Sequence, residues 1–356
     1  MVQEEGMTKL NASIRRPPSL SRSDASDAWS LFARAPIARL ASTRADGAPL
    51  LRALHAVVFE GALCFHGGPV GEKVGCIGRE AVMAIEEAIV TLPSYLFDPE
   101  RACPATTYYE SAMAWGKIEA VSSRRQKAAI LGALMERHQP EGGYALIDAD
   151  RPEYASSLDR LLVARLEPAR IEGRLKLGQH KPRATMERVL EGLWRRGARG
   201  DLEAIERIRG AHPERLAPSL LHHGDVRFEV APRDVQGALD LVAGEYWNVN
   251  TPRETLARAH AESRCWIMGF DARGPAATGR ATCDAKRGWI YDVAVRRDLR
   301  GRGVGRALLT LLLDHPQLRG TRECMLGTRD AQGLYGGFGF RAHEFRFTQM
   351  IRRAGG

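Results

Sequence analysis

The chain has 356 residues, 44% of them hydrophobic and 27% charged, and its 52 Lys and Arg residues against 43 Asp and Glu residues give a formal net charge of +9. This length predicts two domains that can each bury a core, and the composition excludes disordered, collagen-like and coiled-coil chains. The longest apolar run, at 307–313, is far shorter than the roughly 20 residues of a membrane-spanning helix. Three explanations of the positive net charge are possible: binding of nucleic acid, binding of anionic cofactors, or simply an Arg-rich composition.

The N-terminus carries no apolar stretch after its first charges, which argues against a secretory signal. The cysteines are scattered along the chain, without a CxxC pair and without a spacing suited to a metal. In a long chain without a signal, such cysteines indicate reduced thiols. We therefore expect a cytoplasmic protein that has no metal site and does not span a membrane.

The first half of the chain is dominated by β-strand patterns. Residues 1–16 form a polar, basic lead-in that we expect to be disordered. Helices are predicted at Ser23–Arg34, with Ser23 as its N-cap, and at Arg124–Arg137. Short strands separated by Gly-containing turns are predicted at Ala38–Ser42, Pro49–Phe59, Ala62–His66, Val82–Ile89, Ser111–Val121 and Leu161–Ile171. Several short strands with few helices predict a small closed or split β-barrel.

The stretch Arg183–Leu221 changes character and is rich in Arg and Glu at helical spacing. Gly197 and Gly200 interrupt it, and Pro213 and Pro218 end it, so a helical connector is the simpler interpretation. A basic face that touches nucleic acid is the alternative. Acidic residues offset most of the basic ones in this segment, and no helix-turn-helix or aromatic-interleaved basic strand is present, which argues against nucleic acid.

The last third of the chain alternates between strand and helix patterns. Strands are predicted at Val226–Val230, Cys265–Phe270, Ala277–Thr282, Trp289–Val295 and Cys324–Thr328. Helices are predicted at Pro232–Ala243, Arg253–Ala261 and Arg306–Asp314, with a short one after Thr328. This alternation predicts a mixed α/β domain.

One turn in this domain is rich in glycine and arginine: Arg300, Gly301, Arg302, Gly303, Val304 and Gly305. Glycines allow positive φ angles, so successive N–H groups can point at one anion, and the following helix adds its own unpaired N–H groups. Arg300, Arg302 and Arg306 add positive charge suited to a phosphate or pyrophosphate. The alternative is a surface turn that happens to have this composition.

Arg300, Gly303 and Gly305 stand at the places of an Arg/Gln-x-x-Gly-x-Gly/Ala signature, and the turn resembles that of GNAT-type N-acetyltransferases. Residues 331–340 (AQGLYGGFGF) resemble that family's Ala-x-x-Leu-Tyr-x-x-x-Gly-Phe segment, and 292–295 resemble its central splayed strand. The resemblance covers about Asp225–Arg346. It implies an acetyl-CoA-dependent enzyme that acetylates an amine and whose loop amides hold the pyrophosphate of the cofactor.

The same resemblance implies roles for particular residues. The backbone of Val293 and Val295 would bind the pantetheine arm, and Tyr335 would protonate the departing CoA thiolate. A half-buried aromatic residue is the alternative for Tyr335. Thr328 stands where the family often carries Asn, so its contact to the cofactor arm is open.

No motif fixes the base that would accept the proton of the amine. Glu245 and Asp292 are the candidate carboxylates, acting through water, and a purely structural role is the alternative for each.

In the first half of the chain, Phe65-His66-Gly67 is followed by a Gly-rich loop and Lys73. A Lys beside free backbone N–H groups suits a phosphate. Four segments resemble the pyridoxamine 5′-phosphate oxidase-like split barrel, particularly its nitroimidazole-reductase-like branch. They are the Phe-His-Gly-x-x-x-Gly-x-Lys run, the strand 48–59, Tyr109-Glu110-Ser111 with the Gly116-Lys117 strand, and residues 176–179. The resemblance covers about Pro17–Lys181 and implies an FMN site.

By that resemblance, Lys73 and Arg52 hold the FMN phosphate. The backbone of Ala53, Leu54 and His55 faces the flavin ring. For His55 and His66, a place at a strand end without a ligand is the alternative to a cofactor contact. Haem, a deazaflavin or no cofactor are the alternatives to FMN.

The resemblance places His66 near the edge of the flavin and implies a homodimer with flavin at the subunit interface, in which Ser111 or Trp115 serves the partner's site.

The sequence thus predicts a mixed α+β protein with a split β-barrel at 17–182, a helical connector at 183–223 and an α/β GNAT domain at 224–353. The leading hypothesis is an acetyl-CoA-dependent N-acetyltransferase fused to a flavin-binding barrel. The alternatives are a flavin- or haem-binding sensor or transcriptional regulator, and a reductase of nitroaromatic or natural-product substrates with an accessory acetyltransferase.

Overall fold

The computed structural model describes residues 22–23, 25–44, 46–212 and 221–343. The chain divides into two compact units, Met1–Arg188 and Val189–Gly356. The predicted lead-in at 1–16, the prolines expected to end the connector, and 344–353 of the predicted α/β domain lie outside the described residues.

The first unit is built on an antiparallel sheet in the strand order β3-β2-β6-β7-β8-β5-β4, with β1 paired to β8. The strands are β1 (Arg22–Ser23), β2 (Ala38–Thr43), β3 (Pro49–Leu54), β4 (Val57–Phe59), β5 (Ala62–Gly67), β6 (Glu80–Leu92), β7 (Thr106–Ala120) and β8 (Leu162–Lys176). The sheet curls into a half-barrel, as predicted. Its helices are α1 (Ala25–Arg34), α2 (Arg124–His138) and α3 (Pro152–Arg160).

The curl of this sheet follows from irregular pairing between its long strands. The β7–β8 register shifts at Trp115/Gly116, and a side chain at Gly116 would collide with the carbonyl of Glu167. Such bulges increase the local bend and twist of a strand. The concave face encloses a core that includes Leu40, Phe65 and Met83, which are 0% exposed.

Two local predictions in this unit were wrong. The chain pattern at 49–59 predicted one strand, but β3 ends at Leu54 and β4 begins at Val57, because the backbone leaves the sheet at His55-Ala56. Helix α1 begins at Ala25, whereas Ser23 belongs to β1 and is not the start of the helix.

The boundary between the units falls within helix α4 (Arg183–Arg196), in the segment predicted as a connector, and helix α5 (Asp201–Gly210) follows. Leu193 and Trp194 are buried in the second unit, where the Trp194 Nε1 donates to Asp314 Oδ2 at 2.6 Å. The glycines at 197 and 200 separate the two helices, as predicted.

The second unit contains a sheet in the order β14-β13-β12-β11-β10-β9, antiparallel except for the parallel β13–β14 pair. The strands are β9 (His222–His223), β10 (Val226–Glu229), β11 (Cys265–Asp271), β12 (Gly274–Cys283), β13 (Arg287–Val295) and β14 (Glu323–Met325). The further helices are α6 (Val235–Val242), α7 (Arg253–Ala261), α8 (Val304–Leu313) and α9 (Gln332–Gly336).

Helices cover both faces of this sheet. On one face, Thr278 accepts from Trp266 Nε1 at 3.0 Å, and Trp266 packs against Ala238 of α6. On the other face, Gly279 lies against Leu308 of α8. Successive strand residues point to opposite faces, so β12 carries both layers of the core.

Candidate functional site

A cavity of about 810 Å³ opens in the second unit, along β13 and the loop that follows it. Eleven of the residues expected at the acetyl-CoA site or its chemistry line this cavity: Glu245, Asp292, Val293, Val295, Arg300, Gly301, Gly303, Gly305, Arg306, Thr328 and Tyr335. Arg302 and Val304 are not among the lining residues. The structure therefore gathers most of the residues predicted from two separated motifs into one place.

The cavity exists because β13 separates from both of its neighbours. On the β12 side, Asp292 and Val293 stand opposite Gly279 alone, which is a bulge, and Asp292 has φ 51°. On the β14 side, pairing stops after Trp289–Met325. From residue 290 onwards, β13 thus has no partner strand on that side within the part of the chain that the structure describes, and its backbone groups can bind an extended ligand.

The loop after β13 is shaped to bind an anion. Gly301 and Gly303 have φ angles of 78° and 84°, and Gly303 directly precedes α8. Helix α8 has no side-chain cap and no acidic residue in its first turn. Its first N–H groups therefore remain available, and the positive end of the helix dipole favours a negative ligand.

The loop is held from outside the cavity by His223. The His223 Nε2 lies 2.9 Å from the Arg302 carbonyl oxygen, and therefore donates to it. A Cβ on Gly303 would lie 2.8 Å from the same ring nitrogen. Arg302 thus contributes its backbone to the support of the loop.

The loop arginines differ in what they contact. Arg300 Nε donates to the Val295 carbonyl at 3.0 Å, and its other end pairs with Glu245 Oε1 at 2.7 Å. The Arg306 guanidinium lies over the Phe338 ring at 5.5 Å and forms no ion pair with the described residues. Arg306 is therefore the loop arginine that lines the cavity and is free to pair with a phosphate.

The first unit brings a second group of predicted residues together. Lys73 Nζ donates to the His66 carbonyl at 3.2 Å, and a side chain on Gly67 would lie 3.3 Å from the Lys73 stem. Arg52 pairs with Glu72, whose other oxygen pairs with Arg44 at 2.6 Å. A single 3₁₀ turn, Val74–Cys76, follows Lys73.

Strand β3 ends the curled sheet and pairs with β2 alone among the described strands. Its outer backbone groups at Ala53 and Leu54 are therefore available to a ligand. His55 follows, with its Nδ1 at 3.1 Å from the Pro36 carbonyl and its ring packed edge-on against His138 at 4.7 Å. Partial burial, Lys73 and His55 lower the pKa of His66, which keeps that imidazole neutral at neutral pH.

Ser111 is not brought to His66 within one chain. It pairs with Arg174 of β8, whereas His66 pairs with Val163. Eleven residues of β8 separate those two partners, which is roughly 36 Å of strand. Ser111 therefore lies towards the opposite end of the long strands.

Comparison with known proteins identifies both units. The family model described as pyridoxamine 5′-phosphate oxidase matches residues 24–175, and that of the acetyltransferase (GNAT) family matches residues 237–340. The chain is a fusion of these two domain families. We refer to them below as the barrel domain and the transferase domain. No curated protein matches the chain.

Three solved structures to which this chain is similar are the following. A candidate 5-nitroimidazole antibiotic resistance protein from Bacteroides thetaiotaomicron has 19% identity, covering 42% of this chain and 83% of that one, with a TM-score of 0.35. An FAD and haem binding protein from Mycobacterium smegmatis has 20% identity, covering 44% and 73%, with a TM-score of 0.37. A GNAT-family protein from Xanthomonas campestris pv. campestris has 29% identity, covering 38% and 95%, with a TM-score of 0.34.

In the transferase domain, Tyr335 lies on α9 and is 9% exposed, with its ring edge-on to Phe340 at 6.0 Å. Burial raises the pKa of its phenol, and Tyr246 and Asp330 raise it further. A phenol with a raised pKa keeps its proton at neutral pH and can give it to a stronger base.

The two candidate carboxylates are both engaged. Asp292 is 7% exposed, and its Oδ2 accepts from Arg280 Nε at 2.7 Å. Its Oδ1 accepts from Asn248 Nδ2 at 2.9 Å and from Trp247 Nε1 at 3.2 Å. Together with the Glu245–Arg300 pair, these contacts show that each carboxylate fixes a part of the cavity wall.

The Thr328 hydroxyl accepts from the Ala331 N–H at 3.1 Å and so shapes the start of α9. Sequence reasoning missed Arg280 and Asn248, which hold Asp292, because they lie 12 and 44 residues from it and belong to no motif. Arg280 could have been found as a lone charged residue within an otherwise apolar strand pattern.

Among the residues that the structure describes, no cluster of metal-ligating side chains is present. Within the same ranges, no helix is both long enough and apolar enough to cross a membrane.

Proposed function

We propose that the transferase domain moves an acetyl group from acetyl-CoA to a primary amine. The observation that carries this proposal is the conjunction of three features in one cavity: the open, bulged end of β13, the uncapped start of α8 after two positive-φ glycines, and the buried Tyr335. The open end of β13 suits an extended amide-bearing arm, and the uncapped start of α8 suits a pyrophosphate. The buried Tyr335 suits a departing thiolate.

In the proposed reaction, the nitrogen lone pair of the neutral amine attacks the thioester carbonyl carbon. A C–N bond forms, the C–S bond breaks, and the sulfur takes the proton of the Tyr335 hydroxyl. The proton that the amine loses restores the phenol through solvent, so the products are an N-acetyl amide and free CoA thiol. Burial keeps Tyr335 protonated, so its hydroxyl can donate a hydrogen bond, and then its proton, to the sulfur as negative charge develops there in the water-poor cavity.

Glu245 and Asp292 are assigned to positioning rather than to direct proton removal. Glu245 holds Arg300 and with it the loop, while Asp292 ties Arg280, Asn248 and Trp247 to the bulge of β13. Each carboxylate is thus already engaged by a guanidinium group of the cavity wall.

We further propose that the barrel domain binds FMN. Lys73 and Arg52 would hold the phosphate, Gly67 leaves room for the Lys73 stem, and the free edge of β3 at Ala53–His55 would face the ring. A bound flavin would supply hydride or electron transfer, and the chain would supply its orientation. The proposal includes a homodimer, in which Ser111 of a second copy of the chain would serve this site.

The sharpest test of acetyl-CoA binding uses Gly303→Ala with Gly47→Ala as its matched control. Both glycines have positive φ angles, 84° and 82°, so both variants carry a similar backbone strain. The added methyl group meets His223 at Gly303, whereas nothing lies within 4 Å of Gly47. We expect calorimetry to show acetyl-CoA binding in the wild type and Gly47→Ala, and a loss of about tenfold or more in Gly303→Ala. Equal binding in all three proteins would refute the assignment of this loop.

For the barrel domain, the test is addition of FMN to the purified protein followed by gel filtration and a visible spectrum. We expect FMN to co-elute with a dimeric protein. A colourless protein that remains colourless after FMN is added would refute the flavin proposal.

A further inference from the structure

Beyond Tyr335, the cavity is bounded by four aromatic residues, which we name the aromatic wall: Tyr246, Trp247, Trp289 and Tyr291. Trp289 and Tyr291 stack at 6.1 Å with 29° between their planes, and Trp247 stands edge-on to Tyr246 at 4.9 Å. Trp247 and Tyr291 are each 39% exposed. Exposed aromatic groups that face a cavity are typical of a surface that a ligand covers.

Two residues of the aromatic wall, Trp289 and Tyr291, lie on β13, apart from the part of that strand proposed to hold acetyl-CoA. Val293 and Val295 lie next to the anion-binding loop, whereas Trp289 and Tyr291 precede the bulge at Asp292. Trp289 is six residues from Val295, or roughly 20 Å along the strand. With CoA placed along 293–305, the aromatic wall lies on the side from which the acceptor approaches Tyr335.

Trp247 is fixed in this place although its surface is exposed. Its Nε1 donates to Asp292 Oδ1, and its ring contacts Tyr246, whose hydroxyl accepts from the Arg329 N–H at 2.8 Å. The wall is therefore a preorganised surface, which lowers the entropy cost of binding a flat group against it.

The charges of the side chains that line the cavity balance, and one further guanidinium group, that of Arg329, lies over the Tyr246 ring at 3.9 Å. The lining of the cavity includes three carboxylates and three guanidinium groups: Glu245, Asp292, Asp330, Arg280, Arg300 and Arg306. Glu245 pairs with Arg300 and Asp292 with Arg280. Asp330 makes no ion pair with any described residue and acts electrostatically on Tyr335. One unpaired carboxylate suits one ammonium group, and a polycation would find no excess of negative charge here.

We propose that the acceptor is a monoamine whose amino group is joined by a short linker to an aromatic body that stacks on the aromatic wall. This inference rests on the proposed acetyl transfer and names its substrate class. The ring of the acceptor covers Trp247 and Tyr291, and its amino group reaches the thioester beside Tyr335.

Three probe amines test the proposal: 2-phenylethylamine, n-hexylamine and spermidine, each with saturating acetyl-CoA. Aromatic pairs contribute about 0.5–1.5 kcal/mol each beyond their area, so 2-phenylethylamine should exceed n-hexylamine in kcat/KM by about tenfold. Spermidine should be the poorest acceptor. We expect Tyr291→Leu to raise the KM for 2-phenylethylamine about three- to tenfold while the KM for acetyl-CoA stays unchanged, and Trp247→Leu to raise the KM for 2-phenylethylamine by at least as much.

Tyr95→Leu is the matched control, since Tyr95 is 60% exposed and lies in the barrel domain. Thermal unfolding of each variant shows whether the fold is retained. Titration of the same amines into the CoA complex gives their order of affinity even where turnover is slow.

The outcomes separate this proposal from acetyl transfer itself. CoA release with spermidine as the best acceptor, or an unchanged preference in Trp247→Leu, overturns the aromatic acceptor and leaves acetyl transfer standing. A Kd for 2-phenylethylamine no tighter than that for n-hexylamine overturns it equally. Failure of acetyl-CoA to bind refutes the proposed function on which the inference rests.

Discussion

The two domains present positive potential to an anion in different ways. In the transferase domain, the backbone N–H groups at the start of α8 face the anion site together with the side chain of Arg306, whereas Arg300 is engaged with Val295 and Glu245. In the barrel domain, the cationic groups are the side chains of Lys73 and Arg52. Backbone groups are fixed by the fold, whereas side chains can find internal partners.

The two anion sites also differ in whether an acidic side chain competes with the ligand. No acidic residue stands in the first turn of α8, so nothing in that turn competes with a ligand. In the barrel domain, Glu72 already pairs with Arg52 and Arg44. A phosphate must displace this carboxylate before Arg52 can bind it. We therefore expect the barrel site to depend on individual side chains and the transferase site to depend on loop geometry.

The largest effect should come from Tyr335→Phe, which acts on the transferase domain alone. Removal of a general acid typically costs about 100-fold or more in rate, so kcat should fall by at least that factor. The Kd for acetyl-CoA and the affinity for FMN should not change. A CoA-release assay with a primary amine measures the effect, and Tyr95→Phe, outside the cavity, is the control. An unchanged kcat would remove Tyr335 from the reaction.

The pH dependence of the same assay sharpens this assignment. Burial, Tyr246 and Asp330 raise the pKa of Tyr335 above its ordinary value of 10. The phenol acts in its protonated form, which is complete below that pKa and is lost only as the pH rises through it. We therefore expect the alkaline loss of kcat due to Tyr335 to occur at a higher pH than an ordinary phenol would give. A loss at lower pH that disappears in Tyr335→Phe would contradict the raised pKa.

The sequence alone predicted much of the fold and several residues of the transferase site. The spacing of Arg300, Gly303 and Gly305 indicates the loop because a tight turn into a helix needs glycine at those points. Tyr335 is carried by a motif of fixed spacing. Strand alternation and glycine-containing turns predicted the half-barrel and most of the strands in both domains, since period-two patterns report which side chains face the core.

The sequence could not predict the features that depend on contacts between residues far apart in the chain. At the bulge of β13, Arg280, Asn248 and Trp247 converge on the carboxylate of Asp292. A carboxylate next to an active-site strand looks like a base in the sequence, and only its partners show that it positions the strand. The break at His55-Ala56 likewise lies within a stretch whose residue types suit one continuous strand, because the point at which a strand leaves the sheet depends on its pairing with neighbouring strands.

A matched pair of arginine and lysine variants tests whether the two sites differ as described. Lys73→Met removes a charged donor, and such bonds contribute about 1.5–3 kcal/mol, so FMN affinity should fall about tenfold or more. Arg300→Gln keeps a donor for the Val295 carbonyl and should weaken acetyl-CoA binding about threefold at most. Both affinities can be measured by calorimetry at one ionic strength. A larger loss in Arg300→Gln than in Lys73→Met would reverse the comparison.

The smallest effect is expected from Glu72→Gln. It tests whether the negative charge of Glu72 already offsets the positive charge of the proposed FMN site. Glu72→Gln removes the carboxylate that holds Arg52 and Arg44, and an exposed ion pair is worth about 0.2–1 kcal/mol. Since FMN must break this pairing, the variant should bind FMN about two- to fivefold more tightly, and the gain should shrink at high salt. Glu86→Gln, which removes the exposed Arg39–Glu86 pair of the same domain, should leave FMN affinity unchanged. Weaker binding in Glu72→Gln would mean that Glu72 helps to orient Arg52 for the phosphate, and the barrel site would then resemble the loop of the transferase domain, whose Arg300 is positioned by Glu245.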